Sequence, residues 1–300
     1  MAHKAGFVSI IGKPNVGKST LMNALVGERL SIITPKAQTT RHRILGIVNE
    51  EDYQIVFSDT PGIIKPKYSL QESMMSFVNG SLTDADVLLF VTDVNETHDE
   101  EDVLEKLLNN NIPTIVLINK IDTADQDKVE EKIAYWQERL KPVSIYAISA
   151  LHKHNLSGLM DQILGMMPEH PAYYDKEDLT DRTERFFVSE IIREKIFLNY
   201  QKEIPYSTEV IVKSFKEEEL RTGKAGGLMI RISAEIVVER DSQKNILIGK
   251  NGTMLKKVGT EARLQIEKFL DNKVFLELFV KVIPDWRSKK NYLKSFGYDN

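Results

Sequence analysis

The chain has 300 residues, 42% of them hydrophobic and 28% charged, and no cysteine. That length suggests two domains, and the cysteine count excludes disulfide frameworks and thiolate-held metals while fitting a reducing cytoplasm. A net charge of −4 conceals an asymmetry: residues 181–300 carry 23 Lys+Arg against 18 Asp+Glu, and from Lys244 onward 12 against 6. The second half is therefore the half suited to an anionic partner. No apolar run approaches the roughly 20 residues of a membrane span, and the N-terminus enters an apolar stretch without a signal-peptide pattern.

Along the first half, apolar runs at 7–11, 54–58, 87–92, 114–118 and 144–148 predict buried parallel strands, with amphipathic helices between them at 99–109 and 127–140. This rhythm predicts a doubly wound, mostly parallel α/β sheet whose ligands lie at the carboxyl ends of the strands. After the first strand comes Gly12-Lys13-Pro14-Asn15-Val16-Gly17-Lys18-Ser19-Thr20, leading into a helix over 20–26. A GxxxxGK[ST] run between strand and helix is a phosphate-binding loop: its backbone N–H groups form an anion nest at a helix N-terminus. Lys18 would reach the β- and γ-phosphates, and the Ser19 hydroxyl would ligate Mg²⁺.

Asp59-Thr60-Pro61-Gly62 ends the second of these strands. Asp59 there can hold Mg²⁺ through a water, and Gly62 can place its N–H on a γ-phosphate. Asn119-Lys120-Ile121-Asp122 follows the strand 114–118. Its aspartate can accept both N–H groups of a guanine edge, Asn119 can bond the other edge, and the Lys120 stem can cover the base. Ser149-Ala150, after the last strand, would add a backbone N–H toward the guanine oxygen. In the loop 34–41 one of the tandem threonines, Thr40 in preference to Thr39, would ligate Mg²⁺ and let go when the γ-phosphate leaves. The three motifs in this order predict a GTP site, with Lys18, Thr40 and Gly62 at the reacting phosphate. Ile63, next in line, cannot orient an attacking water, having neither donor nor acceptor.

Met167-Pro168 closes the first half, and residues 171–182 read as an ordered linker between domains at 1–170 and 183–300. The remainder predicts α-β-β-α-α-β, with Gly249-Lys250-Asn251-Gly252 as a tight turn between two helices. In that order a GxxG resembles a type II KH domain, which clamps about four nucleotides of single-stranded nucleic acid. Ile248, Gly249, Lys250, Asn251, Gly252, Lys256 and Lys257 are the expected RNA contacts, with Ile248 and a neighbouring strand flooring the groove; the alternative for each lysine is an ordinary solvated helix face. Residues 228–238, Ile191, Ile192, Phe275, Leu278, Val280 and Trp286 are expected in the core.

The runs GKPNVGKST, KAQTTRHRI, DTPGI and NKID, together with the KH-like half, resemble the Era family of bacterial GTPases over essentially the whole chain. The resemblance implies a cytoplasmic, monomeric GTPase of ribosome assembly that binds 16S rRNA near its 3′ end and the immature 30S subunit, with a fraction on the inner face of the cell membrane. It further implies Mg²⁺ as cofactor and slow intrinsic hydrolysis, with K⁺ recruited through Asn15 in some relatives; the alternative for Asn15 is a brace within the loop. A second function class is a membrane-associated signalling GTPase whose KH-like half docks protein or lipid.

Overall fold

A computed structural model describes residues 3–96, 111–219 and 228–298. The chain divides into two compact units at Asp181/Arg182. The helix expected over 99–109 lies outside the described residues.

The first unit contains β1 (Lys4–Ile11), α1 (Lys18–Val26), β2 (Ile44–Asn49), β3 (Tyr53–Asp59), α2 (Ser69–Thr83), β4 (Val87–Asp93), β5 (Thr114–Asn119), α3 (Gln126–Leu140), β6 (Ser144–Ala147) and α4 (Leu156–Met166). They form one sheet in the order β2-β3-β1-β4-β5-β6. All neighbours are parallel except β2 and β3. Strand β4 is Val-Leu-Leu-Phe-Val-Thr-Asp, with its first six residues buried, as a parallel strand covered on both faces requires. Strand order reverses around β1 and β4, so a crevice opens beyond their carboxyl ends, where the motif loops lie.

Strand β2 was absent from the sequence reading. Gly46 breaks its apolar run and weakens the strand signal, yet a Cβ there would meet Val26 Cγ2 at 2.7 Å and Met22 Cε at 2.9 Å. The missing side chain lets α1 lie close against the sheet. Residues 171–181, read as a linker, run along this edge of the first unit. Ile47 N–H donates to the Leu179 carbonyl (2.9 Å) and Asn49 Nδ2 to that of Asp178 (2.9 Å). The buried Gln54 amide accepts from the N–H groups of Tyr173 (2.7 Å) and Tyr174 (3.0 Å) and donates to the Tyr174 carbonyl (2.9 Å).

The second unit comprises α5 (Glu184–Asn199), a short turn α6 (Ile204–Ser207), β7 (Glu209–Glu219), β8 (Leu228–Val238), α7 (Asp241–Ile248), α8 (Thr253–Leu270), β9 (Lys273–Val282) and α9 (Lys290–Ser295). Strand β8 is central, antiparallel to β7 and parallel to β9. Even-numbered β8 residues Ile230 to Ile236 meet Val188, Ile192 and Ile196 of α5 and Val258, Ala262 and Ile266 of α8 in one core. Trp286 is fully buried and its indole N–H donates to the Ser207 carbonyl (3.0 Å). The core assignments need correction in both strands: of residues 228–238, Leu228 is 40% exposed and Met229, Arg231, Ser233 and Glu235 face away from this core. Leu278 and Val280 pack against this core, but Phe275 lies on the opposite face and is 42% exposed. Successive strand residues alternate faces, and an odd-numbered β9 residue cannot share a face with Leu278.

Candidate functional site

Helix α1 starts at Lys18, directly after the left-handed Gly17, so the motif loop meets a helix N-terminus. The Lys18 ammonium is buried and donates to the carbonyls of Gly12 (3.1 Å) and Lys13 (2.8 Å). Burial pulls its pKa down to about 8, against the opposing pull of Asp59 and Glu96. Lys13 itself pairs with Glu96 at 3.3 Å. A cavity of ≈ 390 Å³ opens in front of this loop, lined by Pro14, Asn15, Gly17, Lys18, Ser19, Thr20, residues 32–35 and 38–40, Gly62 and Lys120.

Three oxygen-bearing side chains from separate elements converge at its edge. Ser19 Oγ donates to Asp59 Oδ2 at 2.7 Å and therefore accepts from Thr40 Oγ1 at 2.8 Å. Thr39 is spoken for elsewhere: its hydroxyl donates to the Lys36 carbonyl (2.7 Å) and lies 2.6 Å from Thr34 Oγ1. Asp59 is fully buried and its Oδ1 has no hydrogen-bond partner. Desolvation holds this carboxyl above the usual carboxylate range. Two hydroxyls and a buried carboxylate with an oxygen to spare are hard donors suited to Mg²⁺, which would restore the carboxylate to its charged form.

Gly62 presses on the phosphate loop: a Cβ there would lie 2.6 Å from the Pro14 nitrogen and 2.7 Å from its Cα. Only a residue without a side chain permits that approach. The adjacent Ile63 N–H donates to the Gly12 carbonyl (3.1 Å), and its side chain is buried. Thr60, just before Pro61, ties the same segment to β1 through the Ile10 carbonyl (2.9 Å). Asn15 Nδ2 donates to the Pro35 carbonyl (3.1 Å), a brace from the phosphate loop to the 34–41 loop.

The base-side motif is also tied into the fold. Asn119 is 2% exposed; its Nδ2 donates to the Val16 carbonyl (2.8 Å) and its Oδ1 accepts the Ala150 N–H (2.9 Å). The Asn119 amide thus ties the base-side loop to the phosphate loop and to Ala150, while Nδ2 keeps a second N–H to donate. The physical reason is burial: amide groups out of water must be paired within the fold. Ser149 N–H likewise bonds the His154 carbonyl (3.4 Å). Lys120 crosses to the Asn15 carbonyl (2.7 Å) and Asp93 (2.6 Å), which lays its stem along the cavity wall. Asp122 keeps a partly exposed carboxylate in the turn 121–123, with His152 Nε2 3.8 Å away. Ile32, Ile33 and Gln38, which the sequence reading missed, also line the cavity. Their one sequence signal is an apolar pair in an otherwise polar loop.

In the second unit the single turn Lys250–Gly252 joins α7 to α8, with Gly249, Asn251 and Gly252 at φ 72°, 53° and 75°. Beside it lies a groove of ≈ 380 Å³ lined by Gly252 of the turn, by Leu255, Lys256, Gly259, Thr260 and Arg263 on α8, and by Leu276 and Leu278 on β9. The expected floor residue Ile248 is half-buried and outside this lining. It ends α7, so Leu255 and the β9 leucines form the floor instead. Lys250 and Asn251 are exposed in the turn, and Lys257 points to Glu261 (3.9 Å) rather than to the groove. Thr260 and Arg263 were missed, although each lies four residues after a groove residue, Lys256 and Gly259, on one helix face.

Comparison with known proteins bears on both units. Residues 7–120 match the family described as 50S ribosome-binding GTPase, and residues 203–287 match the KH domain. The chain is 44% identical over 298 residues to GTPase Era of Syntrophus aciditrophicus, covering 99% of this chain and 95% of that one. It is 44% identical to GTPase Era of Clostridium kluyveri, covering 98% and 99%. The chain belongs to the Era family of GTPases. Among solved structures, Era with MgGDPNP and nucleotides 1506–1542 of 16S ribosomal RNA superposes with a TM-score of 0.93 at 41% identity, covering 99% and 100% of the two chains. Aquifex aeolicus Era bound to GDP and AlF4⁻ superposes with 0.91 at 40%, covering 99% and 100%. Era membership makes this a GTP-hydrolysing chain with a P-loop domain followed by a KH domain.

Proposed function

We propose that this GTPase is a nucleotide-driven switch that binds single-stranded 16S rRNA near its 3′ end through the α8–β9 groove and assists 30S assembly in the cytoplasm. The observation that carries the switch is the meeting of Ser19, Thr40 and Asp59, from the phosphate loop, the 34–41 loop and β3, with Gly62 against Pro14. Ser19, Thr40 and Asp59 would hold Mg²⁺, directly or through water, which when bound neutralises charge on the β- and γ-phosphates. Lys18 supplies a second positive charge at those oxygens, and Gly62 N–H a donor. Ile63 leaves water unoriented, so intrinsic turnover is slow.

The bound relatives support the ligand classes: one Era structure holds MgGDPNP with 16S rRNA, another GDP with AlF4⁻. The groove supports the RNA reading by its leucine floor between Lys256 and Arg263, apolar surface for bases beside charge for phosphates. A stimulatory K⁺ at Asn15 belongs to the same proposal, and is tested by comparing hydrolysis in KCl and NaCl. A membrane-docking reading has less support, because α9 has only six residues and its Leu293 is buried.

The test is fluorescence anisotropy of an oligonucleotide from the 3′ end of small-subunit rRNA, in apo, GDP and GDPNP states, beside Gly252→Asp. Nucleotide-dependent binding lost in the variant supports the switch. Equal weak binding in every state, unchanged by the variant, overturns it.

A further inference from the structure

Strand β9 has two faces. Leu276 and Leu278 point toward α8 and floor the groove, while Phe275 and Phe279 stand on the opposite face, 42% and 55% exposed. Two exposed phenylalanines four residues apart on one strand are about 13 Å from one another along it. Charges of both signs surround them, with Glu277 between the two rings on the same face and cations around them. The Arg231 guanidinium lies 4.5 Å from the Phe275 ring centroid, and the register places Lys216 beside Arg231 and Lys273 beside Met229 on the same face. Neither Lys216 nor Lys273 has a carboxylate partner among the described residues. Arg231 and Lys281 do, to Glu218 (3.2 Å) and Glu235 (3.9 Å), but these pairs are partly exposed and one is long. Such pairs are worth little and are readily exchanged for a phosphate.

Aromatic rings interleaved with Lys and Arg on an open sheet are the surface on which single-stranded nucleic acid stacks its bases and lays its backbone. A folded protein partner would want a larger continuous apolar patch than two rings separated by charges. β9 is also the edge strand, so a strand of RNA leaving the groove has only one β-strand to round before reaching Phe275 and Phe279. We propose that the outer face of the second unit's sheet is a second single-stranded RNA platform, with Phe275 and Phe279 as stacking residues and Lys216, Arg231 and Lys273 as phosphate contacts. The proposal rests on the groove reading for its continuity. It adds a footprint that the GxxG turn does not reach.

The experiment compares an oligonucleotide of about 5 nucleotides, enough for the groove, with one of about 12 that extends beyond it. Both are titrated into the full chain with GDPNP. Phe275→Ala/Phe279→Ala weakens the longer RNA about tenfold or more and leaves the shorter within about twofold; Phe275→Tyr/Phe279→Tyr restores the longer one. Both rings are solvent-facing, and circular dichroism with nucleotide affinity confirms that the variants fold. Lys216→Glu/Lys273→Glu reproduces the selective loss without touching the rings. Affinity of the longer RNA for Phe275→Ala/Phe279→Ala or for Lys216→Glu/Lys273→Glu equal to that for wild type overturns the platform, as does a loss that the short RNA shares. If Gly252→Asp leaves the short RNA bound, the groove reading falls instead, separately from the platform.

Discussion

Asn119 Nδ2 donates to the Val16 carbonyl at 2.8 Å, a bond between residues 103 positions apart that fastens the base-side loop to the phosphate loop. Its Oδ1 holds Ala150 N–H at the same time. Asn119→Ala leaves a buried carbonyl and a buried N–H unpaired, each costing about 1–3 kcal/mol. We expect unfolding at lower denaturant, together with GDP affinity reduced about tenfold or more. A variant with unchanged midpoint and unchanged affinity would show the brace to be dispensable.

Thr40 and Thr39 are adjacent but differently engaged, the first with Ser19 and the second with Thr34 and Lys36. Thr40→Ala should slow Mg²⁺-dependent GTP hydrolysis by about 10²–10³ while sparing GDP affinity, because a switch threonine lets go when the γ-phosphate leaves. Thr39→Ala should cost less than about tenfold, through loop order alone. Single-turnover rates at saturating Mg²⁺ decide this, and the reverse ranking would move the ligand to Thr39.

Lys18 loses its proton near pH 8 in the chain without nucleotide, because burial disfavours the ammonium. A triphosphate favours the charged form and lifts the pKa back above that value. The sign follows: binding takes up a proton, so affinity is fully present below pH 8 and falls as pH rises through it. Calorimetry in buffers of different ionisation enthalpy should find about half a proton taken up per nucleotide at pH 8 and almost none at pH 6. No uptake at pH 8 would mean that Lys18 is already charged before binding.

Gln54 ties Tyr173 and Tyr174 to β3 by three hydrogen bonds and donates a fourth to Asn49 (2.6 Å). Gln54→Leu keeps the volume and removes these bonds, leaving the two tyrosine N–H groups without their acceptor. Stability should fall by about 2–4 kcal/mol, and limited proteolysis should begin near residues 171–181. Protease resistance equal to wild type would assign the segment's order to Ile47 and Asn49 instead.

The doubly wound sheet, the phosphate loop and the α-β-β-α-α-β order of the second unit were legible in the residues, because each depends on local spacing. Strands β1, β4 and β5 are continuous apolar runs, GxxxxGKS forms its nest from consecutive N–H groups, and GxxG needs only its two helices. Other features depend on what lies across the fold. Gly46 hid β2 until Met22 and Val26 were seen beside it. That Asn119 fastens Ala150 and the phosphate loop shows only where these lie side by side, and Phe275 read as core until the β8–β9 register set it on the outer face. Sequence by itself determined which chemistries the chain carries, since side-chain type and short spacing are written along it. Only the tertiary structure decided which donor meets which acceptor and which face of a strand is wet, because those depend on residues brought together from twenty to over a hundred positions apart.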